Sequence, residues 1–540
     1  MKKIKTIEQY HKEYKKSVKS PENFWEEKAN TFHWKSKWDN VLDWEFKSPN
    51  VKWFKGGKLN ITENCLDRHL KNKADQIAII WEPNNPKEKS IKISYKELHE
   101  KVCAFANVLK NNGAKKGDRI CLYMPMVPEL AIATLACARV GAIHSVVFAG
   151  FSFKALSDRI NDADCNIIIT SDGLYRGSKQ ICLKDIVDNA LQNSPSINKC
   201  IVLKRTNELV TMINQRDVWW HDEIENASNY YEPEIMDAED PLFVLYTSGS
   251  TGKPKGVQHH CGGYMVYAEY SFRNVFQYED GDVYWCTADI GWITGHTYIV
   301  YGPLLAGATT IMFEGVPTYP DAGRFWEVCD IHKVNIFYTA PTAIRALQAF
   351  GTEIINKYDL SSLKTLGTVG EPINEEAWEW YYKYIGKEKC WIVDTWWQTE
   401  TGGILISPLA HITPTKPTFA TLPLPGIQPC LVNSDGEETS GAVPGTRNVR
   451  RDSKNQDESY PQTITGSDAG TIGAPCDPEI DDSLSYPDMF ATKMTSSQHN
   501  MIAGPKVIYF TDYTGVQEGR GAEYNRSQLH VRGVNYEDLD

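Results

Sequence analysis

No run of 18 or more apolar residues occurs in this 540-residue chain, which excludes a conventional membrane-spanning helix. The first twenty residues, Met1 to Ser20, are basic and polar (MKKIKTIEQYHKEYKKSVKS) and lack the apolar stretch of a signal peptide. Positive charge is in deficit. The formal net charge is −12, which gives no support to nucleic acid or an anionic membrane as a partner. A chain so acidic that binds an anionic ligand must gather its Lys and Arg locally. The 13 Cys contain no Cys-x-x-Cys pair and no Cys/His cluster at zinc spacing. Cys65, Cys103, Cys121, Cys137 and Cys165 lie scattered in apolar or helical surroundings, as reduced, partly buried thiols of a cytoplasmic protein do, rather than as a disulfide framework or a metal site. What is present is ample material for a core: 41% of residues are hydrophobic and 11% aromatic, so disorder is not the default. The length suits about three or four domain-sized units.

Residues 1–90 are dense in Lys and Trp (Trp25, Trp34, Trp38, Trp44, Trp53) and predict an irregular, aromatic-packed lead-in. Helical and strand patterns then alternate. Tyr95 to Asn112 has helical spacing and stops at Gly113; Arg119 to Tyr123 is a short buried-strand run. Pro128 to Val140 predicts a helix, Ile143 to Phe148 a strand, Leu156 to Ala163 a helix and Cys165 to Thr170 a strand. The same rhythm returns from Pro241 to about Val393, with no internal repeat. Such βαβ alternation predicts an α/β fold, mostly parallel sheets flanked by helices.

The strongest local pattern is Tyr246-Thr247-Ser248-Gly249-Ser250-Thr251-Gly252-Lys253-Pro254-Lys255-Gly256, between an apolar strand at Leu242 to Leu245 and a second starting at Val257. Its glycines let the backbone turn tightly and bring N–H groups to an anion; its hydroxyls add donors and its lysines charge. That combination suits a polyphosphate, against the alternative of a flexible hairpin loop. It is not a Walker A loop, because Thr247 and Pro254 stand where that motif requires Gly and Ser/Thr. The run resembles the signature loop of the acyl-adenylate-forming enzymes, which implies that it holds the β- and γ-phosphates of ATP. Further segments resemble the AMP-forming acetyl-CoA synthetases of that superfamily. They include Pro21-Glu22-Asn23-Phe24-Trp25, Asn64-Cys65-Leu66-Asp67-Arg68-His69, Tyr123-Met124-Pro125-Met126-Val127-Pro128-Glu129, Ala288-Asp289-Ile290-Gly291-Trp292-Ile293-Thr294-Gly295-His296 and Tyr338-Thr339-Ala340-Pro341-Thr342-Ala343. Gly370-Glu371-Pro372-Ile373-Asn374 and Asp394-Thr395-Trp396-Trp397-Gln398-Thr399-Glu400-Thr401-Gly402-Gly403 complete the set, which runs in order over about residues 5–445.

The resemblance implies an acetate–CoA ligase that uses ATP, Mg2+ and CoA and passes through acetyl-AMP. It implies catalytic roles for Thr247, Lys255 and Glu400. It assigns ATP to Thr247, Ser248, Gly249, Ser250, Thr251, Gly252 and Lys253, to Gly370, Glu371 and Pro372 along the adenine, and to Asp394, Thr395, Trp396, Trp397, Gln398 and Thr399. Glu400 is implied as the Mg2+ contact; taken alone it reads equally as a carboxylate at a helix N-terminus. Two adjacent Trp commonly mean core packing. Here the resemblance implies that Trp397 closes an acetate pocket walled by Ile293, Thr294 and Val369. For CoA it implies Arg176, Gly177, Ser178 and Lys179, with Thr294 and with Thr318, which stands where the family has Asn; a solvated basic turn is the alternative for residues 176–179. Two other readings stay open: a propionate-preferring relative and a non-catalytic nucleotide-binding core.

The character changes near Gly445. All 16 Trp lie at or before Trp397, and residues 446–540 are rich in Ser, Thr, Asn, Asp, Gly and Pro. Only Lys506 to Phe510 predicts a strand. The family's Tyr-Phe-Thr-Gly-Asp-Gly strand, Gly-Arg-x-Asp-Asp hinge, Gly-His-Arg segment and late Ser-Gly-Lys have no match there, and the only lysines are Lys454, Lys493 and Lys506. The expected organisation is therefore an adenylate-forming core at 1–445 and a divergent, loop-rich tail at 446–540, with ligand binding by the core and weak overall synthetase turnover.

Overall fold

The computed structural model of the protein describes residues 1–45, 50–247, 254–432, 496–497, 506–511 and 529–530. Short apolar runs, too short for helices and buried on both faces, organise into two seven-stranded sheets. The first has the order Asp217–Trp219, Lys199–Leu203, Ile167–Ser171, Arg119–Tyr123, Ile143–Val146, Pro241–Thr247, Lys255–His260. Its neighbours are parallel except the last pair, an antiparallel hairpin in which Thr247 faces Lys255. The second runs Trp391–Asp394, Thr365–Thr368, Ile336–Thr339, Val283–Cys286, Thr309–Phe313, Ile77–Glu82, Ile91–Ser94, and is likewise parallel apart from its last pair. The chain begins the second sheet, leaves to build the first, and returns to finish the second. This crossing ties the two together, and one continuous core holds Ile120, Leu122 and Phe243 of the first sheet with Ile79, Tyr284 and Tyr338 of the second.

Helices form where apolar spacing and caps agree. Tyr95–Asn111 starts on a Ser94/Glu97 capping box and ends before Gly113, whose φ of +92° suits the left-handed turn. Pro128–Arg139 has proline in its first turn and is buried on nearly every side, as its uniformly apolar sequence requires.

The lead-in is more regular than its composition suggests. Residues 1–90 contain the helices Ile7–Lys19 and Pro21–Ala29, a continuous helical stretch over Glu63–Asp67 and Arg68–Lys73, and a paired strand couple, Asn40–Glu45 with Asn50–Lys55. The density of lysine hides the helical period of the first, which buries Tyr10 and takes its N-cap from Thr6. Phe24 and Trp25 of the second pack edge-on against Tyr270, and Trp25 meets Tyr267 and Trp53. In the tail the predicted strand is observed as Lys506–Thr511, parallel to Ile427–Val432, and two-residue strands Ser496–Ser497 and Leu529–His530 pair with each other. The rest of the tail lies outside the described residues. The eleven cysteines whose side chains are described are unpaired, and ten of them are buried. No helix among the described residues is long and apolar enough to cross a membrane.

Candidate active site

In parallel sheets, ligands collect beyond the carboxyl ends of the strands. Three predicted segments leave the second sheet there. Val369 to Pro372 follow Thr365–Thr368, Thr395 to Thr399 follow Trp391–Asp394, and Ala340 to Thr342 follow Ile336–Thr339. The segments are bonded to one another. Thr395 donates its N–H to Thr368 O at 3.1 Å and its hydroxyl to the same oxygen at 2.7 Å, and Val369 N–H reaches Thr339 O at 3.1 Å. Tyr338 Oη lies 2.6 Å from Thr395 Oγ1. Gly370 takes a φ of +91° with open space where a Cβ would stand. The Glu371 carboxylate is already committed. It accepts Thr342 N–H at 2.6 Å and the Thr342 hydroxyl, and pairs with Arg345 at 2.9 Å. What residues 370–372 offer a ligand is therefore mainly backbone.

The signature loop's two ends are described; Ser248, Gly249, Ser250, Thr251, Gly252 and Lys253 lie outside the described residues. Thr247 and Lys255, both half-buried, face each other at the mouth of the hairpin. Four residues on from Lys255 along the second strand, His259 Nε2 sits 2.8 Å from Thr399 O, so that nitrogen carries the hydrogen and donates it. The bond joins the loop's stem in the first sheet to the 398–401 turn of the second, and brings the two halves of the predicted nucleotide site together.

Glu400 lies in that turn, a single 3-10 turn over Thr399–Thr401, and is 7% exposed. So short a turn has little dipole to stabilise a carboxylate. Among the described residues no ion pair involves Glu400, and no group of three His, Cys, Asp or Glu could hold a metal without help. A single buried carboxylate without an ion pair fits Mg2+, which commonly takes one or two carboxylates and completes its shell with phosphates and water.

Trp397 is half-buried, its ring edge-on to Tyr298 with centroids 5.1 Å apart and planes at 89°. Tyr298 lies one helical turn beyond Thr294, on the helix that opens with Ile293; Ile293 and Val369 are each 7% exposed and Thr294 9%. Tyr298 Oη accepts Ile404 N–H at 2.8 Å and lies 2.8 Å from Ser271 Oγ. Trp396 is tied by backbone bonds to Ile406 and Leu405. Asp394, the first residue of this segment, is buried. Its carboxylate accepts the Thr368 hydroxyl and, at 2.9 Å, the Trp378 indole N–H. Burial still outweighs both bonds and pushes its pKa from the ordinary 3.8 up to about 7. The fold therefore binds a proton that the unfolded chain has released, and stability falls as pH rises from about 4 to about 7. Asp394→Asn is expected to flatten that fall, read as Tm between about pH 5 and about pH 7.5; an unchanged slope refutes it.

The hairpin Gly173–Arg176 with Lys179–Cys182 pairs Arg176 directly opposite Lys179, both exposed. Like charges opposite one another destabilise a strand pair, so the arrangement makes physical sense if an anion bridges them. Arg176 also lies over the Phe148 ring at 5.7 Å. Gly177 faces Val316 and Tyr319, which brings the tip of the hairpin, Gly177 and Ser178, to the segment that carries the exposed Thr318.

A two-sheet α/β core whose glycine-rich edge hairpin is bonded to the strand-end turns of the neighbouring sheet defines a nucleotide-binding enzyme. Residues 66–452 match the family described as AMP-binding enzyme, and residues 10–65 match the acetyl-coenzyme A synthetase N-terminus. An acetyl-coenzyme A synthetase of Magnetococcus marinus is 56% identical over 439 residues, 81% of this chain and 68% of that protein. That of Alkalilimnicola ehrlichii is 55% identical over 447 residues (83% and 69%), and acetyl-coenzyme A synthetase 2 of Pseudomonas aeruginosa 55% over 442 (82% and 68%). The chain belongs to the acetyl-coenzyme A synthetase family of AMP-binding enzymes.

Proposed function

We propose that the protein joins acetate to CoA in two steps at this one site. An acetate oxygen attacks the α-phosphorus of ATP, the bond to the departing pyrophosphate breaks, and acetyl-AMP results. The sulfur of CoA, having lost its proton, then attacks the acetyl carbon, and the carbon–oxygen bond to AMP breaks. No protein nucleophile is needed; the residues position the reactants and neutralise charge. In this reading the 247–253 loop and Lys255 receive the β- and γ-phosphates. The 370–372 and 394–399 segments receive adenine and the α-phosphate. Ile293, Thr294, Val369 and Trp397 enclose the methyl group. Arg176, Gly177, Ser178 and Lys179, with Thr294 and Thr318, receive CoA. Glu400 would hold Mg2+, which when bound neutralises phosphate charge. The reduced, unpaired cysteines accord with a cytoplasmic location, and we place the border of the adenylate-forming core near residue 445.

The observation that carries the reading is the His259–Thr399 bond at 2.8 Å, which sets the loop's stem against the Trp397–Glu400 turn. ATP–pyrophosphate exchange dependent on acetate and Mg2+ tests the first step, and thioester formation on adding CoA the second. No acetate-dependent exchange overturns the proposal; exchange without thioester leaves only the first step.

A further inference from the structure

Arg176 and Lys179 are exposed and ride on a hairpin four residues to a strand, so their aim depends on what holds the hairpin from behind. The main hold comes from an amide far away in sequence. Asn84, 2% exposed, lies just beyond Ile77–Glu82 of the second sheet. Its Nδ2 donates to Gly177 O at 2.8 Å and its Oδ1 accepts Gly177 N–H at 2.9 Å. A side-chain amide matches a peptide unit in both directions, so Asn84 pairs with the turn as a strand would. Gly177 itself has a φ of +59°, a left-handed conformation that a glycine takes freely and that places both its polar groups toward Asn84.

A second brace lies beside it. The Arg205 guanidinium sits 4.9 Å from the ring of Tyr175, on the hairpin, and 5.1 Å from the ring of Trp81, on the strand before Asn84. Glu314 holds Arg205 at 2.6 and 2.8 Å and Glu88 at 2.9 Å; Glu314 also accepts Asn84 N–H at 3.4 Å. Asn84 and Arg205 thus fix the tip and the flank of the hairpin to one strand end.

We propose that Asn84 is a positioning residue for CoA: it holds the 176–179 turn so that Arg176 and Lys179 present their charge to the nucleotide phosphates. The inference rests on the reading of that turn as the CoA site. It assigns Asn84 no part in acetate activation, which occurs before CoA reacts.

The experiment uses the full chain and four variants, Asn84→Ala, Asn84→Asp, Arg176→Ala and the double variant Asn84→Ala/Arg176→Ala. Asn84→Asp keeps the acceptor for Gly177 N–H and sets two oxygens against each other at the second contact. CoA is titrated calorimetrically, acetate-dependent ATP–pyrophosphate exchange is measured without CoA, and amide hydrogen exchange is followed over residues 174–179. Loss of two buried hydrogen bonds predicts CoA affinity down roughly tenfold in Asn84→Ala. Exchange of the 174–179 amides should quicken, and pyrophosphate exchange should match the wild type. Asn84→Asp should protect the Gly177 amide while still weakening CoA. Asn84→Ala combined with Arg176→Ala should cost less than the sum of the two, because they act through one contact. Unchanged CoA affinity or additive losses would overturn the role of Asn84 alone. A wild-type protein that binds no CoA overturns the reading of the turn, and this role with it.

Discussion

Trp397→Gly is expected to move acid preference from acetate toward propionate and butyrate. The indole stands edge-on to Tyr298, one turn beyond Thr294, with Ile293 and Val369 buried alongside. Removing it opens the space of several methylene groups. Each methylene in an apolar pocket is worth about 1–3 kcal/mol, a factor of roughly 10–200 in specificity. Acetate should lose kcat/KM because its methyl group no longer touches a wall, while four-carbon acids gain what acetate loses. Pyrophosphate exchange measured acid by acid reads the ratio directly, and the order acetate over butyrate surviving in Trp397→Gly would remove Trp397 from the acyl pocket. The fold is expected to tolerate the change, since the ring is half-buried and its neighbour Trp396, not Trp397, carries the backbone pairing to Ile406.

Glu400→Gln should abolish most of the adenylation activity. The side chain is nearly isosteric, so packing around the 399–401 turn is kept, but the formal charge that would meet Mg2+ is gone. Loss of one preorganised electrostatic contact typically costs about 10²–10³ in kcat. A loss of that order in pyrophosphate exchange is expected, with partial recovery at high Mg2+ because the metal would also be held by phosphate oxygens. Exchange within about threefold of the wild type at every Mg2+ concentration would assign Glu400 a purely structural place.

Much of the fold could be read from the chain because buried parallel strands are continuous apolar runs: Arg119–Tyr123 falls where its residues predict, and Ile167–Ser171 within two positions. The helix Ile7–Lys19 was harder, since most of it is solvated and its lysines obscure the apolar stripe. The structure gathers the 369–372 and 395–399 segments, both read from contiguous motifs, as their strand ends require. The interior of the signature loop lies outside the described residues. The supporting contacts had no local signal. His259 meets a carbonyl 140 residues on, Asn84 a turn 93 residues on, and Tyr298 a backbone amide 106 residues on. A pattern read over ten or twenty positions does not contain such pairs. His259 did offer one hint, a polar side chain alternating inward on an edge hairpin next to the loop.

Tyr298 has a further consequence. Its hydroxyl is engaged with Ile404 and Ser271, and the 404–406 segment it anchors is the one that holds Trp396. The indole at 397 therefore backs onto a fixed end-stop. On the reading proposed above, room for a longer acid comes most directly from shortening residue 397 itself. Change at residue 397 is then, on that reading, the simplest route to a different acid preference, with Ile293, Thr294 and Val369 as the remaining walls.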